Sequence, residues 1–343
     1  MESKIEGVEL LEIRNLNEIN GFYNAGERIT GELFLLTSCQ IKIQQLSIEL
    51  YGDIVNFIQD SDYPDSERIF EYNDTIVHRT ATVAENVELE PGELCESFSF
   101  DLPKCCPSSF ESELFLFALI KTYDRLDFEQ GRIRYILCAK IKSPSPFAVV
   151  QETIVQLQIR ESVNLNRNRE ARVSRPVNET VHYSSWCCKA GAVTVTTVLP
   201  KRGFSMDELI DAAVNISNGS NKPIAEVNAE IIERATFTAK SKRGGYKRFN
   251  AEGIALSCTK EVCIPPGSFE SVRFTLKIPP TVAPHIRTDP IETDHFLVIR
   301  ARRKHSQELQ VLSGIAIFIG TIPLTATEDE SFSSKRMYQY KCQ

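Results

Sequence analysis

The sequence predicts an all-β fold built from two β-sandwiches. Three observations carry this: apolar residues alternate with period two, turn residues recur at short intervals, and long amphipathic helices are hard to find. The 343 residues exceed one ordinary core and suit two domains.

The alternation appears along the whole chain. In Gln45–Gly52, Leu46, Ile48 and Leu50 fall between polar neighbours, and in Thr153–Ile159 the same role falls to Val155, Leu157 and Ile159. Val272, Phe274, Leu276 and Ile278 repeat the pattern, followed by Ile315, Ile317 and Ile319. Each run puts one face in a core and one toward water. Gly26, Gly31, Gly52, Pro91-Gly92, Pro107, Asn218-Gly219, Gly244-Gly245 and Pro265-Pro266-Gly267 punctuate them. Residues 161–185 are polar, rich in Arg and Asn, and read as a linker. The expected division is therefore a first domain at 5–160, the linker at 161–185, a second domain at 186–324, and a short disordered tail at 325–343.

Composition excludes several functions. The net charge of -7 argues against a general nucleic-acid binder, which needs a basic field. No window approaches the roughly 20 apolar residues that span a bilayer. The start, MESKIEGVELLEIRN, lacks a signal-peptide core. A cytoplasmic location is expected, with peripheral attachment at the plasma membrane or endosomes left open. The ten cysteines then read as reduced. Cys105-Cys106 and Cys187-Cys188 lack the two-residue spacer of zinc knuckles, so no metal is expected. The five histidines are scattered, none at ligand spacing. No phosphate-binding loop, dinucleotide fingerprint, His-Glu-x-x-His or Gly-x-Ser-x-Gly is present. Catalytic residues and cofactors are therefore none, and no enzyme is expected.

The two halves echo one another. Phe22-Tyr23-Asn24-Ala25-Gly26-Glu27 is matched by Gly203-Phe204-Ser205-Met206-Asp207-Glu208: an aromatic, a short turn and an acid before an alternating strand. Asp101-Leu102-Pro103 is matched by Lys277-Ile278-Pro279. Tyr23 to Gly31, the run Leu102-Pro103 to Pro107-Ser108-Ser109-Phe110-Glu111, Gly131 to Tyr135, Leu199 to Phe204, and Gly320-Thr321-Ile322-Pro323-Leu324 together resemble the arrestin family, specifically the α-arrestins or arrestin domain-containing proteins. Met206-Asp207-Glu208 departs from the family's usual Pro-Gly-Glu at one turn.

The resemblance implies two immunoglobulin-like β-sandwiches, the arrestin N- and C-terminal domains, in a non-enzymatic adaptor. That adaptor would serve protein transport and endocytic trafficking by binding receptors or the cytoplasmic tails of membrane cargo. Recruitment of a ubiquitin ligase through Pro-Pro-x-Tyr is not expected, because Pro265-Pro266 and Pro279-Pro280 are not followed by that tyrosine. Two alternatives stand beside this reading: a structural sorting subunit of a retromer-like complex, and a thiol-dependent regulator binding thioredoxin.

Two surfaces are candidate contact sites. Lys240, Lys242, Arg243, Lys247 and Arg248 surround Gly244-Gly245. A hairpin there would gather basic charge for an anionic membrane surface, an acidic tail or phosphorylated cargo. The second candidate is Leu114, Phe115, Leu116 and Phe117, in an insertion at about 112–130 between two family motifs. Three readings of that insertion are open: a loop folded onto the sandwich, an exposed apolar contact patch, or an in-frame retained intron.

Overall fold

A computed structural model describes residues 4–59, 69–111, 129–144, 149–185, 188–241, 244–279 and 282–325. The chain forms two units. The first is Met1–Ser162 with Ala235–Ala251 and Ile286–Thr293; the second is Val163–Arg234, Glu252–His285 and Asp294–Gln343. Among the described residues, no helix is long and apolar enough to cross a membrane.

The first unit's own strands are β1 (Val8–Arg14), β2 (Tyr23–Asn24), β3 (Arg28–Thr37), β4 (Ile41–Gln59), β5 (Ile69–Leu89), β6 (Gly92–Asp101), β7 (Phe110–Glu111), β8 (Glu129–Lys142), β9 (Val150–Leu157) and β10 (Ile159–Arg160). One sheet has the order β1-β3-β6; the other runs β5-β4-β8, with β7 and β9 both pairing along β8. Leu46, Ile48 and Leu50 are fully buried, as are Ile29, Leu33 and Leu35 of the other sheet. Burial of this apolar face contributes about 25 cal/mol per Å², which is why the period-two pattern specifies the strands. Phe110 pairs with Ile133 and Glu111 with Arg132, so the two motifs on either side of residues 112–128 are paired strand neighbours. Residues 112–128, with Leu114, Phe115, Leu116 and Phe117, lie outside the described residues.

The discontinuity of this unit has a packing cause. Phe237 is buried, contacts Phe110, and stacks on Phe249 with ring centroids 6.1 Å apart. A Cβ on Gly131 would fall 2.0 Å from the Phe237 ring, so only glycine fits there. The buried Asn56 amide donates to the carbonyls of Thr238 and Pro290. Stretches expected within 186–324 thus complete the first unit's core.

The second unit's strands are β11 (Val177–Ser185), β12 (Cys188–Val198), β13 (Gly203–Ser205), β14 (Leu209–Ser220), β15 (Ile224–Ser241), β16 (Tyr246–Ile264), β17 (Phe269–Lys277), β18 (Ile291–Arg303) and β19 (Gln310–Gly320). Strands β15, β16 and β18 each have one end in the first unit. One sheet reads β11-β12-β14-β17; the other reads β13-β19-β18-β15, with β16 beside β15. Val272, Phe274, Leu276, Ile278, Ile315, Ile317 and Ile319 all join its core.

Residues 161–185 hold more structure than a linker. Two 3-10 turns, Leu165–Arg167 and Arg169–Arg172, precede β11. The Asn164 and Asn168 side chains cap them by accepting from Asn166 N–H and Glu170 N–H. Leu165 and Ala171 are buried. The polarity read as linker composition is thus partly capping chemistry. Thr325, counted with the tail, bonds through its N–H to the Asn166 side-chain oxygen at 2.9 Å. The remainder of the tail lies outside the described residues.

Candidate functional site

Strands β15 and β16 form the basic hairpin. Ser241 N–H donates to Gly245 O at 2.7 Å, and Gly244 N–H returns to Ser241 O at 3.0 Å. Gly244 sits at φ 92°, the left-handed region that glycine enters without a Cβ penalty. This pairing sets Lys240 opposite Tyr246, Thr238 opposite Arg248 and Thr236 opposite Asn250. Two contacts agree: Thr236 Oγ1 donates to Asn250 Oδ1 at 2.9 Å, and Lys240 Nζ lies 5.6 Å from the Tyr246 ring centroid.

The geometry divides the expected cluster. Lys240 and Arg248 are exposed diagonal neighbours on one face, beside Tyr246, which is 70% exposed. Lys247 falls on the other face, in the row of Phe249 and Phe237, and is half-buried. Lys242 and Arg243 lie outside the described residues. An acid also enters: Lys240 pairs with Glu71 of β5, so a carboxylate-bearing strand borders the cationic face. Sequence distance hid this, because residues 71 and 240 meet only through long-range pairing. A cation pair beside an exposed aromatic ring suits phosphate or carboxylate ligands at an interface.

A further basic run is Arg302-Arg303-Lys304-His305, and its two arginines are engaged. Arg302 pairs with Glu226, and the Arg303 guanidinium lies 3.8 Å from the Tyr183 ring centroid. Among the described residues, the buried thiols Cys106 and Cys138 offer no nucleophile. Burial pushes Cys106 up to about 11 and Cys138 up to about 11, so neither carries a thiolate at neutral pH. Among the described residues no group of three His, Cys, Asp or Glu side chains could hold a metal ion. The histidines are less scattered than the sequence suggested, since His285 and His295 meet in the second unit.

The repeated motifs build the same turn twice. In the first unit Asn24 N–H donates to the Glu27 carboxylate at 2.8 Å, and Leu102 N–H donates to Glu27 O at 2.9 Å. In the second, Ser205 N–H donates to the Glu208 carboxylate at 2.8 Å, and Ile278 N–H donates to Glu208 O at 3.1 Å. Each aromatic lies on a short strand parallel to the unit's closing strand: β2 on β10 and β13 on β19.

Comparison with known proteins agrees with this duplication. Residues 14–177 match the family model "Arrestin (or S-antigen), N-terminal domain", and residues 189–324 match "Arrestin (or S-antigen), C-terminal domain". Arrestin domain-containing protein 1 of Rattus norvegicus is 23% identical over 235 residues, 68% of this chain and 48% of the relative. Arrestin domain-containing protein 17 of Caenorhabditis elegans is 24% identical over 237 residues, 65% of this chain and 51% of the relative. The chain thus spans about half the length of these curated relatives. The paired sandwiches, the twice-built turn and both family domains lead to one conclusion: the chain belongs to the arrestin family and is α-arrestin-like.

Proposed function

We propose that this chain is a non-enzymatic arrestin-fold adaptor in membrane-protein transport and endocytic trafficking. It binds the cytoplasmic tails of membrane cargo or receptors, and its basic hairpin contacts acidic groups on the cargo or the bilayer. The observation that carries this reading is the exposed face holding Lys240, Arg248 and Tyr246 at the end of the β15–β16 hairpin, beside β5. Each cation near an anionic leaflet contributes about 1 kcal/mol, screened beyond a Debye length. Tyr246 suits the headgroup region, where an amphipathic ring keeps its hydroxyl wet.

The test is charge reversal. The K240E/R248E double variant should sediment with phosphatidylserine vesicles about tenfold less than the parent chain at low salt. Both proteins should show the same thermal transition, since the side chains are exposed. Equal sedimentation of parent and variant would remove the hairpin from the function. Loss confined to acidic cargo peptides would assign the face to cargo instead of lipid.

A further inference from the structure

The chain after β19 stays bonded to the segment that precedes β11. Ile322 N–H donates to Val163 O at 3.0 Å, and Leu165 N–H donates to Ile322 O at 3.2 Å. Asn164 and Ile322 thus form a parallel bridge. Gly320 permits this approach, since a Cβ there would fall 2.7 Å from Leu165 Cγ and 2.8 Å from the Val163 carbonyl oxygen.

Asn166 and Arg172 carry the contact on to Thr325. The Asn166 side-chain amide donates to Pro323 O at 2.8 Å. The Arg172 guanidinium donates to Thr325 O at 2.8 Å and to Thr325 Oγ1 at 3.3 Å. Asn166 Oδ1 receives three donors: Thr325 N–H at 2.9 Å, the Thr325 hydroxyl at 2.9 Å, and Arg172 Nη2. A carbonyl oxygen has two lone pairs. The hydroxyl can therefore be lost while both lone pairs stay filled.

The charge around this hydroxyl favours an anion. Residues 167–175 hold Arg167, Arg169, Arg172 and Arg175 against one acid, Glu170. Arg167, Arg169 and Arg175 are exposed, and so is Thr325. Further along, the sequence turns acidic: Glu328, Asp329 and Glu330 follow Thr325. Carboxylates just beyond a hydroxyl suit a protein kinase with a basic substrate groove, because kinases select acceptors by charge pattern.

We propose that Thr325 is a phosphorylation site for an acid-directed protein kinase, and that its phosphate docks on Arg172 and fastens residues 320–325 to residues 163–166. In the transfer, Thr325 Oγ1 bonds to the γ-phosphorus of ATP. The bond from that phosphorus to the ADP oxygen breaks, and the hydroxyl proton passes to the kinase's base. The product carries roughly −1.5 to −2 charge and three strong acceptor oxygens. Those oxygens lie one bond beyond an atom already 3.3 Å from the guanidinium, within its reach for charge-assisted bonds.

The experiment treats the full chain with an acid-directed serine/threonine kinase and Mg-ATP, and maps the phosphates by mass spectrometry. Thr325 should be labelled, and Glu328→Gln should slow that labelling by about fivefold or more. A Thr325→Val chain identifies the Thr325 phosphate in the 31P spectrum by its absence. In the parent chain this resonance should titrate below the value of about 6 for a free phosphate monoester, because the guanidinium favours the dianion. Arg172→Gln should return it to about 6. Amide exchange at Ile322 and Thr325 should slow by about threefold or more when the parent chain is phosphorylated. The parent's own titration and exchange decide the matter even where Arg172→Gln loosens the segment. No phosphate on Thr325 would overturn the proposal. So would a Thr325 phosphate that titrates at the free value, or exchange at Ile322 and Thr325 that does not slow.

Discussion

The first turn of each unit has the same hydrogen bonds but different residues. In the first unit the turn is Asn24-Ala25-Gly26-Glu27, with Gly26 at φ 86°. In the second it is Ser205-Met206-Asp207-Glu208, with Asp207 at φ 64°. Both turns return an N–H to the first residue: Glu27 N–H to Asn24 O at 3.0 Å, and Glu208 N–H to Ser205 O at 3.1 Å. The departure from the family's usual glycine therefore changes no bond. It moves a left-handed position onto a residue with a Cβ, which aspartate tolerates better than most. The aromatic before each turn differs too. Tyr23 and Phe204 are equally buried, but the Tyr23 hydroxyl is buried without a partner. What the two units share is the glutamate that holds the turn from its side chain and its carbonyl.

The largest effect expected follows from that glutamate. Glu27→Ala and Glu208→Ala should each lower stability by about 2 kcal/mol, since each removes charge-assisted bonds to backbone N–H. Chemical denaturation followed by Trp and Tyr fluorescence reads this. A cost below about 0.5 kcal/mol at either position would mean the turns are not equivalent. The next effect is reciprocal. Gly26→Asp should destabilise by about 1 kcal/mol, and Asp207→Gly should stabilise by a similar or smaller amount, as the Cβ penalty moves between units. Opposite signs in thermal melts support the equivalence, and equal signs break it. Smallest is Tyr23→Phe, which should be neutral or stabilising by up to about 1 kcal/mol because no hydrogen bond is lost. It also sharpens the alkaline limb. Burial, with Glu18 and Glu27 nearby, raises Tyr23 to about 12. The unfolded phenol ionises near 10, so stability present below that pH is lost as pH rises from about 10 to about 12. In Tyr23→Phe that part of the loss should be absent from a pH series of melts.

Much of this was legible along the chain. Leu46, Ile48 and Leu50 announced a half-buried strand because a one-residue slip would expose all three. Asp101-Leu102-Pro103 and Lys277-Ile278-Pro279 announced strand ends, and both Leu102 and Ile278 bond the turn glutamate's carbonyl. The basic hairpin was legible as a hairpin, since Gly244-Gly245 is turn chemistry. The split of Lys247 from Arg248 follows from alternation alone, whereas Glu71 reaches Lys240 only through a pairing across the fold. The His285–His295 contact carried no local signal. Ten residues separate them, and the intervening segment crosses into the other unit before returning.

By itself the sequence determined period-two strands, their turns and the duplicated motif, because these depend on neighbours a few residues apart. Tertiary structure alone decided that residues 235–251 and 286–293 complete the first unit, that Gly131 must admit Phe237, and that two histidines share a dry contact. Those outcomes depend on which side chains fill one volume, and packing is a property of the assembled core, not of any local stretch.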